Sequence, residues 1–234
     1  MSWFWQGVRE PTKTIAEPPG KAPAGLTPGR PVATRLPPGF DPQICPTEAL
    51  QVVGDVVQPV FERCIHCLRC QRAGVVDWEA DYRWGSVRTT VLPKEFQGSV
   101  HVRVVDAGDC GACLNEVRQL ASPVYSLHRY GIYITPSPRE ADLLLVVGPV
   151  SDGMSTALAE TYRALPEPRR VIAVGVCAIN GGIFAESFAV STGVAGFGIP
   201  VDAVVPGCPP PPVAILDAIR QVMGQVPPRR EENA

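Results

Sequence analysis

The stretches Asp142-Leu-Leu-Leu-Val-Val147 and Val171-Ile-Ala-Val-Gly-Val176 decide the fold class of this 234-residue chain. Each is a short, almost continuous aliphatic run, and a helical pattern over Met154–Leu165 lies between them. Runs of this kind are typical of parallel strands that are buried on both faces of a sheet. The sequence therefore predicts an α/β fold, with a parallel sheet covered by helices on both sides.

The alternation of strands and helices extends outward from these two runs. The pattern predicts further strands at Val100–Val105, Ile132–Thr135 and Val201–Val205, and further helices at Leu114–Leu120 and Val213–Met223. We therefore expect one α/β domain over residues 99–224.

The remaining segments differ from this domain in composition. Residues 1–42 contain nine prolines and no apolar periodicity. We expect this segment to be an extended arm, anchored on a partner by Trp3, Phe4 and Trp5. The alternative is a flexible leader. Residues 43–98 hold four of the eight cysteines and form a separate segment. Residues 225–234 form a charged tail, which we expect to fray over Pro227–Ala234.

Charge and hydropathy exclude several classes of protein. A net charge of -2 and a pI near 5.9 argue against a dedicated binder of nucleic acid or anionic membranes. No apolar run approaches the roughly 20 residues that a membrane span requires. The N-terminus lacks a cationic stretch followed by an apolar one, so we expect no secretory signal and a cytoplasmic location. Disulfides are rare there, and eight cysteines indicate metal or redox chemistry.

The first cysteine set is Cys64-Ile-His-Cys67-Leu-Arg-Cys70, with Cys45-Pro46 upstream. In two-cluster bacterial ferredoxins each motif is C-x2-C-x2-C-x3-C-P, and its fourth cysteine ligates the cluster of the other motif. If one cluster is deleted, one motif keeps only its Cys-Pro and the other keeps its first three cysteines, which is the pattern here. The spacing predicts a ferredoxin-like segment with a single 4Fe–4S cluster on these four cysteines.

A four-thiolate zinc knuckle is the alternative for this set, since zinc is also held by cysteines alone. Zinc sites usually present two C-x2-4-C pairs, and a triplet with one remote cysteine does not match that pattern. Four thiolates complete the site, so we expect His66 to be a solvent-facing spacer.

The second cysteine set is Cys110, Cys113, Cys177 and Cys208. The three loops that carry them follow the strands predicted to end near Val105, Val176 and Val205. Because the carboxyl ends of parallel strands share one edge of a sheet, these loops can bring the four thiols together. We expect a second 4Fe–4S cluster at this edge.

The residues around the second set resemble a known family. They form the segments Cys110-Gly-Ala-Cys-Leu-Asn-Glu116, Gly148-Pro-Val150, Ala173-Val-Gly-Val-Cys-Ala-Ile-Asn-Gly-Gly-Ile-Phe184 and Val204-Val-Pro-Gly-Cys-Pro-Pro-Pro-Pro212. Over roughly residues 100–222 the chain is similar to the small, cluster-bearing subunit shared by complex I and the energy-converting, membrane-bound nickel–iron hydrogenases.

This resemblance implies a flavodoxin-like fold and a cluster packed against a large catalytic subunit with a nickel–iron site. It also implies ferredoxin-type and membrane subunits as further partners, and a peripheral position on the cytoplasmic face of the inner membrane. Complex I members carry an adjacent Cys-Cys pair at the first position, whereas hydrogenase members carry Cys-x-x-Cys. The spacing of Cys110 and Cys113 therefore resembles the hydrogenase side, including formate hydrogenlyase-type assemblies.

The resemblance suggests that Glu116 lies just outside the cluster ligands, where family members move protons near the active site. A helix N-terminal acid favoured by the macrodipole is the alternative. The chain has no acid–base or nucleophilic constellation of its own, so the expected function is electron relay through two 4Fe–4S clusters, with no catalytic residue. The alternatives are a complex I-like quinone-reducing subunit and a zinc-stabilised, non-redox scaffold.

Overall fold

The computed structural model describes residues 27–185 and 187–229, so Trp3, Phe4 and Trp5 lie outside the described residues. Its N-terminal part contains two small antiparallel sheets. Their strands are β1 (Arg30–Pro31), β2 (Thr34–Arg35), β3 (Leu50–Val53), β4 (Val56–Pro59) and β5 (Trp78–Glu79). In one sheet, β1 pairs with β5; in the other, β4 lies between β2 and β3.

A small core holds this part together. Leu50, Val57, Val75 and Val76 are buried in it, and Cys45 and Cys70 pack against it. The connections carry 3-10 turns at Pro42–Ile44 and Phe61–Arg63 and one short helix, α1 (Arg69–Arg72). The backbone thus brings three short elements that carry or precede cysteines to one small core.

A six-stranded, mostly parallel sheet forms the centre of the described chain. Its strands are β6 (Ser86–Val87), β7 (Val100–Asp106), β8 (Ile132–Ile134), β9 (Leu143–Val147), β10 (Arg170–Val174) and β11 (Ala203–Val205). Their spatial order is β6-β11-β10-β9-β7-β8, with β6 antiparallel to β11 and the other five strands parallel. When β7 is counted as the first strand, the five parallel strands follow the order 2-1-3-4-5 of a doubly wound sheet. The prediction of an α/β fold with a mostly parallel sheet is confirmed.

Helices cover both faces of this sheet. They are α2 (Ala112–Gln119), α3 (Asp152–Ala164), α4 (Val176–Asn180), α5 (Gly193–Gly196) and α6 (Pro212–Val222). All five residues of β9 are fully buried between these helices. Leu143, Leu145 and Val147 belong to the core that includes α2 and α6, and Leu144 and Val146 belong to the core that includes α3, α4 and α5. No helix among the described residues combines the length and apolar character that crossing a bilayer requires.

The central sheet extends across residue 98, where the sequence places a boundary. Strand β6 comes from the preceding segment, and Tyr82 and Trp84 are buried in the core beside α6. The last described residue is also held against this core. The Arg229 N–H donates to Gln221 Oε1 at 2.7 Å, its carbonyl accepts from the Val87 N–H at 2.7 Å, and its guanidinium pairs with Asp217. The expected fraying is therefore wrong at Arg229, because hydrogen bonds and an ion pair fix it.

Candidate metal centres

Four cysteines of the N-terminal part, which we name the first quartet, line one cavity. They are Cys45, Cys64, Cys67 and Cys70. Cys45 and Cys64 end the 3-10 turns at Pro42–Ile44 and Phe61–Arg63, and Cys70 lies in α1. All four thiols are free and half-buried. The folding of two turns and one helix around a single cavity thus brings together the cysteines that the spacing predicts as ligands.

The electrostatics of the first quartet reflect this proximity. Burial and, to a smaller extent, the other three cysteines raise the pKa of Cys64 to about 12, while the backbone N–H of His66 acts in the opposite direction. The Ala49 N–H donates to Cys45 Sγ at 3.1 Å. Backbone donors are thus already directed at sulfur.

His66 is not the solvent-facing spacer that the sequence predicts. Its ring lies 5.9 Å from that of Trp78 and 5.2 Å from that of Trp84, measured between centroids. Both ring nitrogens are buried without a hydrogen-bond partner among the described residues, and burial lowers the pKa of the imidazole to about 4. The prediction was wrong because both tryptophans come from outside the cysteine motif.

The second quartet consists of Cys110, Cys113, Cys177 and Cys208, carried by loops and helices at the carboxyl edge of the central sheet. Cys110 follows β7, Cys113 lies in α2, Cys177 lies in α4 directly after β10, and Cys208 follows β11. Cys113 is buried and Cys110 is exposed, and the other two are half-buried.

The four thiols of the second quartet also influence one another. Burial raises the pKa of Cys113, and the negative charge of Asp109 and the proximity of the other three cysteines raise it further. Burial likewise raises the pKa of Cys177 to about 11, with contributions from Cys208, Cys110 and Asp109. Such thiols are protonated at neutral pH unless a metal takes the place of the proton.

Asp109 shapes the loop that carries Cys110. Its Oδ2 accepts hydrogen bonds from the N–H groups of Gly111 and Leu114, each at 3.0 Å. The carboxylate therefore caps the start of α2 and places one negative charge beside the second quartet. Sequence reasoning missed this residue, which lies two residues before Gly111, the N-cap of α2, although aspartate is a residue type that commonly caps helix starts.

Two glycines make room for sulfur in the second quartet. A Cβ at Gly175 would lie 2.5 Å from Cys113 Sγ, and one at Gly182 would lie 2.9 Å from Cys177 Sγ. Both residues also have positive φ angles, +87° and +55°. The backbone at these two positions lies directly against thiol groups, and a side chain there would displace them.

The two quartets are neighbours. The Asn180 side chain, at the end of α4, donates to the Glu62 carbonyl at 2.8 Å, just before Cys64. In addition, His66 of the first set and Cys208 of the second line one groove. Loops that are distant in sequence thus meet between the two sets of thiols, and Asn180 is a residue that the sequence alone does not single out.

Glu116 lies on α2 and lines the same groove as Cys208 and Tyr125. Burial raises the pKa of its carboxyl. The residue lies beyond the first turn of α2, so the alternative of an N-terminal acid that balances the macrodipole does not fit.

The donor chemistry of both quartets fits an iron–sulfur cluster. Every donor is a cysteine, and soft thiolates select iron–sulfur clusters or zinc. N–H groups reach the sulfurs of Cys45 and Cys64, as expected where hydrogen bonds to sulfur tune a cluster. Among residues 27–185 and 187–229, no three His, Cys, Asp or Glu side chains are arranged around one point as ligands of a single metal ion.

Comparison with known proteins places the chain in a family. Residues 110–222 match the family described as NADH ubiquinone oxidoreductase, 20 Kd subunit. The probable membrane-bound hydrogenase subunit mbhJ of Pyrococcus furiosus is 38% identical over 155 residues, which cover 62% of this chain and 92% of that protein. The chain belongs to this family.

Other family members are subunits of oxidoreductase complexes of two kinds. Formate hydrogenlyase subunit 7 of Escherichia coli is 35% identical over 149 residues, or 64% of this chain and 58% of that protein. The chloroplastic NAD(P)H-quinone oxidoreductase subunit K of Piper cenocladum is 44% identical over 115 residues, or 49% of this chain and 50% of that protein. The matched region thus spans 58% of the first of these relatives and 50% of the second.

Proposed function

We propose that this chain is the electron-transfer subunit of a membrane-associated, hydrogenase-type oxidoreductase and that it holds two 4Fe–4S clusters. Cys45, Cys64, Cys67 and Cys70 would hold one cluster, and Cys110, Cys113, Cys177 and Cys208 would hold the other. The observation that carries the proposal is the convergence of the second quartet at the carboxyl edge of the sheet in a chain of this family.

A 4Fe–4S cluster, when bound, takes up and releases one electron at a time. The chain's own contribution would be to hold the two sites side by side and to set their potentials through burial, charge and hydrogen bonds to sulfur. The contact between the Phe61–Arg63 turn and α4 supports a short route between the quartets. The hydrogen chemistry would take place on a large partner subunit, and this chain would supply no catalytic acid, base or nucleophile.

The proposal divides the chain by role. Residues 1–42 would be a partner-binding arm, residues 43–98 a ferredoxin-like, single-cluster segment, and residues 99–224 a flavodoxin-like domain. Partners would be a large nickel–iron subunit together with ferredoxin-type and membrane subunits, on the cytoplasmic face of the membrane. Glu116 would assist proton movement beside the second quartet, and its place in the groove with Cys208 supports this role.

A quinone-linked role in a complex I-like assembly is the second candidate. The family description and the subunit K relatives favour it. The Cys-x-x-Cys spacing of Cys110 and Cys113, by its resemblance to the hydrogenase branch, favours the first candidate.

Anaerobic purification of the tagged chain with its complex tests the proposal. We expect a large subunit that contains nickel, and hydrogen gas should reduce the clusters of this chain within the complex. A large subunit without nickel, combined with reduction by a quinol and none by hydrogen, would select the quinone-linked role. Zinc in place of iron would contradict both.

A further inference from the structure

The indole of Trp78 has a buried N–H group without an acceptor. Its Nε1 is buried and makes no hydrogen bond among the described residues. Buried tryptophan N–H groups usually find a partner, because leaving one unpaired is costly. An unpaired donor of this kind is available to any acceptor that forms beside it.

Trp78 lines the same cavity as the four thiols of the first quartet. Strand pairing holds it there, since β5 is registered with β1 through the pair Pro31–Trp78. Its ring also contacts that of His66, which lies between two of the cysteines. The position of the indole is therefore fixed by backbone pairing and by packing.

Cys70 is the acceptor within reach of the indole. The Trp78 N–H and the backbone N–H of Gln71 are both placed to donate to its sulfur. A thiol is a weak acceptor, and a metal-bound thiolate is a much stronger one. The Trp78 N–H would therefore gain a full partner when Cys70 ligates a metal.

We propose that the Trp78 indole N–H donates a hydrogen bond to the Cys70 thiolate in the cluster-bound chain and thereby raises the reduction potential of the first cluster. The inference rests on the proposed function, because it requires a cluster on the first quartet. Its physical basis is charge. The reduced cluster and its thiolates carry one more negative charge than the oxidised form, so a hydrogen bond to sulfur stabilises the reduced form more.

The test is a redox titration of the full chain carrying both clusters, followed by electron paramagnetic resonance. W78F removes the N–H and keeps a ring. We expect it to lower the midpoint potential of the first cluster and to leave that of the second unchanged. W84F is the matched control: Trp84 also has a buried Nε1 without a partner among the described residues and packs on His66, but it does not line the cavity. W84F should change neither potential.

An unchanged or higher potential in W78F with full iron content would overturn the inference. Should W78F fail to assemble the first cluster, wild-type chain with 15N-labelled indole decides the question. A nitrogen hyperfine coupling at the reduced first cluster supports the hydrogen bond, and the coupling should be retained in W84F. Absence of the coupling in the wild-type chain would overturn the inference. A wild-type chain that lacks iron on the first quartet is recognised by metal analysis before any titration and would contradict the proposed function as well.

Discussion

Asn180 and Glu62 join the two cysteine quartets through one hydrogen bond, from the side-chain amide of Asn180 to the backbone carbonyl of Glu62 at 2.8 Å. Asn180 ends the helix that carries Cys177, and Glu62 lies in the turn that leads into Cys64. The Asn180 Oδ1 accepts from the Gly182 N–H at 2.9 Å, which fixes the orientation of the amide. This link holds the two candidate cluster sites against each other.

N180D tests this link. The substitution replaces the amide donor by a carboxylate oxygen that faces a carbonyl, so we expect a loss of about 1–3 kcal/mol of stability. The thermal midpoint should fall by several degrees, and the magnetic interaction between the two reduced clusters should weaken. Q51E makes the same amide-to-acid change on an exposed strand residue and should alter neither. An unchanged interaction in N180D would show that other contacts set the spacing.

G175A tests whether the backbone of Gly175 must approach Cys113. The added methyl would lie 2.5 Å from the sulfur, so we expect loss of the second cluster and retention of the first. Iron should fall from about eight to about four atoms per chain. G111A separates strain from contact, because Gly111 has a φ of +95° and no atoms within 4 Å of its Cβ position. It should keep both clusters at a cost of about 1–3 kcal/mol. Equal iron contents in the two variants would contradict this account.

D109N tests the charge beside the second quartet. The amide oxygen can still accept from the N–H groups that the carboxylate caps, but the negative charge is lost. Because a nearby negative charge disfavours the reduced cluster, we expect the midpoint potential of the second cluster to rise in D109N. D106N is the control, since Asp106 caps the same loop through Gly108 and Asp109. D106N also removes one negative charge, but Asp106 does not act on the pKa of Cys113 or Cys177 as Asp109 does, so D106N should raise the potential less. An equal rise in both variants would contradict a specific effect of the charge beside the quartet.

The central sheet could be predicted from sequence because its strands are buried on both faces. Leu143–Val147 has no polar residue, and such a run has few alternatives once helical patterns flank it. The convergence of the second quartet follows from the same reasoning, because loops after parallel strands share one edge.

The features that sequence reasoning missed depend on contacts between distant segments. Strand β6 has two residues, Ser86 and Val87, which is too short for any periodicity. The burial of His66 depends on Trp78 and Trp84, and the position of Asn180 matters only because the turn before Cys64 folds onto α4. Local patterns carry no information about such pairings.

The most direct test of the account is the iron and acid-labile sulfide content of the anaerobically purified wild-type chain, C64S and C113S. We predict about eight iron and eight sulfide per wild-type chain. Each variant should retain about half, with the spectrum of only one cluster lost, because each substitution disables one quartet. Stoichiometric zinc without sulfide, or the loss of all iron in either variant, would contradict the claim that two separate quartets hold two clusters.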